Sequence, residues 1–221
     1  MKFKQMKKIF LVLSAFAFIF NINAQDPDVF KAKEILDKVS VKTKTYSTIR
    51  ADFSITMENL QTKSSDKYSG KIIMKGVKYK VDMMGSEIFY DGQTMWTYQP
   101  ETNETYISDP SMMANNLLDP ATIFTFYEKG FKYIYAGETT INGKKVDIID
   151  LFPEKRDQPY SRIKIFVYSD NLQIAKLSQI GRDGDNYIID IKKMEINVPA
   201  DDSVFRFDTA KHPGVEVIDM R

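Results

Sequence analysis

The chain has 221 residues, 31 Lys and Arg against 30 Asp and Glu, one His, no Cys and a net charge of +1. So even a balance leaves no electrostatic footprint for a nucleic acid. The lack of Cys rules out disulfide staples, Cys/His zinc sites and a lipobox anchor.

The N-terminus reads as a targeting segment. Lys2, Lys4, Lys7 and Lys8 form a basic region, Ile9 to Phe20 an apolar one, and Asn21 to Ala24 a short polar stretch with Ile22 and Ala24 at −3 and −1 to a cut. This order predicts a secretory signal peptide over 1–24, with Gln25 as the new N-terminus. The apolar run is shorter than the roughly 17–25 residues that a spanning helix needs. Removing four Lys and no acid turns the net charge from +1 to −3. Residues 25–221 then form a single expected domain, large enough for a good core. A two-membrane bacterium would place the cleaved, soluble protein in its periplasm.

Asp26 is an N-cap and Pro27 suits the first helical position. Val29, Ala32, Leu36 and Val39 follow at helical spacing. The period then drops to two. Ile49, Ala51, Phe53, Ile55 and Met57 alternate with Arg50, Asp52, Ser54, Thr56 and Glu58, which predicts a strand with one wet face. Tyr68, Gly70, Ile72 and Met74 continue the pattern, as do Val77, Tyr79, Val81 and Met83. A fourth strand runs to Tyr90, and Asp91-Gly92 predicts a type I′ hairpin turn. Trp96 and Tyr98 mark a fifth strand, and Glu104 to Ser108 a sixth.

Asp109-Pro110 and Asp119-Pro120 repeat the helix-start signature. They predict two short helices, one with Met112, Met113, Leu117 and Leu118, the other with Ile123, Phe124, Phe126 and Tyr127 and ending at Gly130. Five strands follow, at about 131–138, 145–153, 160–168, 172–180 and 186–196, with turns at Asn142-Gly143 and Gly181 to Asn186. Phe205, Phe207 and Val215 to Ile218 offer a further short pairing. Eleven antiparallel strands curl strongly, and three short helices cover only part of the inner face. The expected fold is mostly β with a helical lid (α+β), a half-open antiparallel β-barrel of about 11 strands over an apolar cavity.

Catalytic signals are weak. His212 stands beside Pro213 in an expected loop, and any Ser-His-Asp site would have to use it. No Gly-x-Ser-x-Gly elbow, Walker loop or dinucleotide fingerprint occurs. Asp183-Gly184-Asp185-Asn186 opens like a calcium loop, but Ile188 and Met194 stand where an EF-hand needs Gly and Glu, so a hairpin turn is expected. No enzyme activity, metal or cofactor is expected. The doublets Met83-Met84 and Met112-Met113 supply flexible, polarisable side chains that suit a cavity of variable contents. Short hinged helices suit a movable cover.

The run from Ser86 to Pro100, with Asp91-Gly92, Trp96, Tyr98 and Pro100, resembles the central hairpin of the outer-membrane lipoprotein carrier family (LolA-like periplasmic chaperones). Gly70 to Lys75 followed by Tyr79-Lys80-Val81, and Phe205-Arg206-Phe207 followed by Pro213 to Ile218, resemble that family's earlier strands and closing segment. The resemblance implies a carrier that holds lipoprotein acyl chains in an apolar cavity. It also implies partners, namely acylated lipoproteins, an inner-membrane ABC-type extractor and an outer-membrane acceptor, with the carrier a monomer. Family members often place an Arg after the basic residue aligned with Lys75, locking the lid to the barrel. Here Gly76 stands there and the following Pro is missing, so lid closure must differ.

On this reading Ile49, Phe53, Ile72, Met74, Tyr79, Val81, Trp96 and Tyr98 line the cavity, and Val29, Leu36, Leu117, Leu118, Ile123 and Phe124 form the lid. The alternatives are a periplasmic lipid-binding or lipoprotein-sensing protein of the same fold, or a hydrolase using acidic residues. The short remainder after the last strand predicts no attached signalling domain.

Overall fold

The computed structural model describes residues 26–110, 120, 123 and 125–221. The expected signal segment 1–24, Gln25, the first lid helix with Met112, Met113, Leu117 and Leu118, and Phe124 lie outside the described residues.

Helix α1 runs from Pro27 to Thr43. The Asp26 carboxylate accepts from the Asp28 N–H at 3.0 Å, and Pro27 opens the first turn. Ala32, Leu36, Val39 and Ser40 form the buried stripe. Lys33–Asp37 and Glu34–Lys38 pair one turn apart on the wet side. At the C-terminal end, Lys42 Nζ donates to the Asn171 carbonyl at 2.7 Å and ties the helix to a hairpin of the sheet.

The strands are β1 (Ile49–Asn59), β2 (Ser64–Lys75), β3 (Lys78–Met83), β4 (Ser86–Tyr90), β5 (Met95–Gln99), β6 (Glu104–Ser108), β7 (Phe131–Ile141), β8 (Lys144–Pro153), β9 (Tyr160–Tyr168), β10 (Ile174–Gly181), β11 (Asp185–Ile196) and β12 (Glu216–Asp219). They form one sheet in the order β12-β6-β5-β4-β3-β2-β1-β11-β10-β9-β8-β7. The C-terminal tail supplies the twelfth strand, parallel to β6; the other pairs are antiparallel. The sheet stays open, with β12 and β7 at its edges. Its two halves meet where β1 pairs with β11 along its whole length, Ile49↔Ile196 to Asn59↔Asp185, with a bulge after Asp52.

Turn chemistry follows the sequence at Asn142-Gly143, where both residues have positive φ (52° and 74°), as a type I′ turn requires. Asp91-Gly92 differs. Tyr90 pairs with Met95, so the connection has four residues, and the Asp91 carboxylate accepts from the Gln93 and Thr94 N–H groups at 3.0 and 2.9 Å. The aspartate side chain closes the loop, which removes the need for a positive φ at Asp91. The second predicted lid helix lies partly outside the described residues. Its described part is one 3₁₀ turn, Phe126–Glu128.

The inner face has two different halves. Over β8–β11, Ile149, Leu151, Ile163, Ile165, Val167 and Leu177 are buried under Ala32, Leu36 and Val39 of α1, with Tyr127. That half is a filled core. Over β1–β4 a smaller cluster of Ile49, Met74, Tyr79 and Val81 forms a wall rather than a filled layer.

Candidate functional site

The half of the sheet that α1 leaves uncovered borders a partly open cavity of about 190 Å³. Alternation decides its walls. β1 offers Ile49, Ala51, Phe53 and Ile55, β2 Ile72 and Met74, β3 Tyr79, Val81 and Met83, and β4 Ile88. Across the β1–β11 seam come Ile189 and Ile191, register partners of Ile55 and Phe53. Pro120 and Ile123, from the segment between β6 and β7, also line it. Among the described lining residues Tyr79 has the one polar side chain, and its hydroxyl donates to Met95 Sδ at 3.7 Å. The charged neighbours on these strands, Lys71, Lys80 and Asp82, occupy the alternate positions, and Lys80 pairs there with Glu87 at 2.8 Å.

Gly70 shapes the floor. It stands opposite Phe53 in the β1–β2 ladder, and a Cβ there would lie 2.6 Å from Phe53 Cζ and 3.0 Å from the Asp82 carbonyl oxygen. The missing side chain lets the Phe53 ring lie across β2.

Six of the eight residues expected to line a cavity, Ile49, Phe53, Ile72, Met74, Tyr79 and Val81, are brought together here. Trp96 and Tyr98 are not. Ile88 faces the cavity and pairs with Thr97, whereas Phe89 pairs with Trp96, so both aromatic residues of β5 lie on the opposite face. There they pack with Phe89 and Phe207 under the C-terminal segment. Their size suggested the inner face; the outer face has an aromatic core of its own. His212 belongs to it, stacked on Phe207 at 4.5 Å and edge-on to Tyr98 at 4.5 Å.

The expected lid residues also divide. Ile123 lines the cavity. Leu36 instead packs into the filled core beside Ile149 and Leu151, because the α1 stripe faces β7–β11. Val29 is half-buried near the start of α1 and is not a lining residue. Leu117, Leu118 and Phe124 lie outside the described residues. Ala51 and Ile55 were legible as members of the Ile49–Phe53 alternation. Ile189 and Ile191 had no comparable signal, since the pairing of β1 with β11 spans most of the chain.

The acidic run Asp183 to Asn186 forms the β10–β11 turn, with Asp183 Oδ1 accepting from the Asp185 N–H at 3.1 Å and Asn59 Nδ2 donating to Asp185 at 2.6 Å. Among the described residues no group of three His, Cys, Asp or Glu side chains could hold a metal ion. No described helix is long and apolar enough to cross a membrane.

An open half-barrel with one filled half and one hollow apolar half, with Pro120 and Ile123 at the hollow, is the class of protein these features define. The chain belongs to the family described as outer membrane lipoprotein carrier protein LolA, whose family model matches residues 44–208. No curated protein matches it in sequence. Among solved structures, an uncharacterized conserved protein from Thermus thermophilus shares its fold, with TM-score 0.56, 11% identity, and coverage of 86% of this chain and 99% of that one. A putative outer membrane lipoprotein-sorting protein domain from Vibrio parahaemolyticus aligns with TM-score 0.46 at 10% identity, covering 80% of this chain and 97% of that one. A LolA superfamily protein from Nitrosomonas europaea aligns with TM-score 0.44 at 13% identity, covering 80% and 98%.

Proposed function

We propose that the chain is a periplasmic carrier that takes the acyl chains of lipoproteins into this cavity and ferries them from the inner to the outer membrane. The observation that carries the reading is the contrast between the two halves of one sheet. A chain able to pack Ile149, Leu151 and Ile163 to zero exposure leaves Ile72, Met83 and Ile88 half-exposed around a hollow. Each methylene moved from water into such a hollow is worth about 0.8 kcal/mol. A cavity with no charged lining residue among those described gains that term without stranding a charge. Membership of the lipoprotein-carrier family supports the same ligand class.

Residues 1–24 act on this reading as a cleaved signal, and 25–221 as the working domain. An inner-membrane ABC-type extractor and an outer-membrane acceptor are the partners. The protein moves its ligand without a chemical step and needs no cofactor.

The test is uptake of a triacylated lipopeptide by the purified protein, followed by co-elution on gel filtration. Phe53→Asp and Ile72→Asn place polar groups in the cavity wall and should abolish uptake while circular dichroism still shows the sheet. Folded variants that take up the lipopeptide as the parent does would refute the assignment.

A further inference from the structure

The Met83-Met84 doublet straddles the edge of the cavity. Met83 closes β3 and shares one rung with Gly70 of β2 and Phe53 of β1, the rung on which the Phe53 ring lies across β2. Met83 pairs with Ser86, so Met84 and Gly85 alone make the turn, with positive φ of 55° and 77° as a type I′ turn requires. This short turn sets the two methionines in different surroundings. Met83 is half-buried and lines the cavity, while Met84 is 53% exposed and does not. Met74, the other lining methionine among the described residues, is 5% exposed on the neighbouring strand.

A thioether is the group in such a lining that an oxidant attacks; the other described lining residues carry aliphatic or aromatic side chains. With a peroxide, the sulfur lone pair attacks one peroxide oxygen. The S–O bond forms as the O–O bond breaks, and the proton of the transferred hydroxyl leaves with the departing hydroxide as water. The sulfur is oxidised by two electrons and the peroxide is reduced. Methionine sulfoxide is polar and a strong acceptor. In this wall it faces apolar neighbours, because the Tyr79 hydroxyl is directed to Met95 Sδ. An acyl chain that entered would strip the sulfoxide of water without replacing its hydrogen bonds.

Building on the carrier reading, we propose that Met83 is an oxidation site that regulates the cavity: a peroxide reaching the mouth converts it to the sulfoxide, and the wall then rejects acyl chains. Met84 takes up oxygen beside it without changing the lining.

The experiment treats the full protein with hydrogen peroxide, locates each sulfoxide by peptide mass spectrometry and titrates a dansylated fatty acid, with circular dichroism confirming the sheet. Affinity should fall by about 5- to 100-fold in step with sulfoxide at Met83, and not with sulfoxide at Met84 or the exposed Met220. Met83→Leu removes the sulfur, and its affinity after treatment should stay within about twofold of its own untreated value. Met84→Leu should keep the full loss, and Met83→Gln should show a comparable loss with no peroxide. A treated, folded protein that carries the sulfoxide at Met83 and binds as before overturns the proposal. So does a Met83→Leu protein that loses affinity as the parent does, or a Met83 that stays unoxidised while Met84 reacts. In each of those cases the carrier reading stands. An untreated parent that binds no probe overturns the carrier reading, and this one with it.

Discussion

Ala51 lies in β1 between Ile72 of β2 and Met194 of β11, is 3% exposed, and lines the cavity. The hollow of about 190 Å³ that it faces is unfilled and partly open to solvent. Ala51→Leu puts about three carbons into that space and recovers about 2 kcal/mol. Urea denaturation should show the gain, and the melting temperature should rise by about 4–8 °C for a domain of this size. The same carbons displace ligand carbons, so affinity for an acylated probe should fall by about 30-fold. A filled core would respond in the opposite way, because overpacking costs about 1–3 kcal/mol. A destabilised variant with unchanged uptake would show that the hollow is not the ligand site.

Gly70→Ala brings a Cβ against Phe53 and the Asp82 carbonyl. It should cost about 1–3 kcal/mol and push the Phe53 ring into the cavity, which calorimetry and probe titration would detect together. Phe207→Ala removes the ring packed on Phe89 and Tyr98 at 5.7 and 5.1 Å. It should cost about 3–5 kcal/mol and shift the emission of Trp96, the one tryptophan, with ligand affinity nearly intact. Asp202 bridges Lys75 and Lys78, which hold its carboxyl at about 2 against the usual 3.8. A carboxylate with a lowered folded pKa stabilises above its unfolded value and loses that contribution as pH falls through the folded one. Trp96 emission should therefore report loosening of the C-terminal segment between about pH 4 and pH 2, and Asp202→Asn should remove that acid-dependent step.

The strands were legible because alternation survives without knowledge of partners. Ile49 to Met57 and Tyr79 to Met83 could be read as one-sided strands from their own residues. Local chemistry also set the ends of α1, where Asp26 and Pro27 act within one turn. Partnership was harder to read. The seam between β1 and β11 puts Ile189 and Ile191 beside Phe53 and Ile55, and no local pattern encodes a pairing that closes over so many residues. Face assignment failed at Trp96 and Tyr98 for a related reason. An apolar side chain declares that it is buried, not by which cover, and the cover on the outer face comes from Phe205 to Val215 far along the chain. Leu36 shows the same limit, since the α1 stripe was plain but the half of the sheet beneath it was not. Asp91-Gly92 shows that a turn signature fixes the place of a reversal more firmly than its length.

The most direct test of the carrier account is native mass spectrometry of the protein recovered from its own cells, with solvent extraction of whatever it holds. The account predicts an adduct that yields an acylated protein or peptide and is absent from Phe53→Asp. A protein that emerges empty and takes up no acylated probe would contradict it.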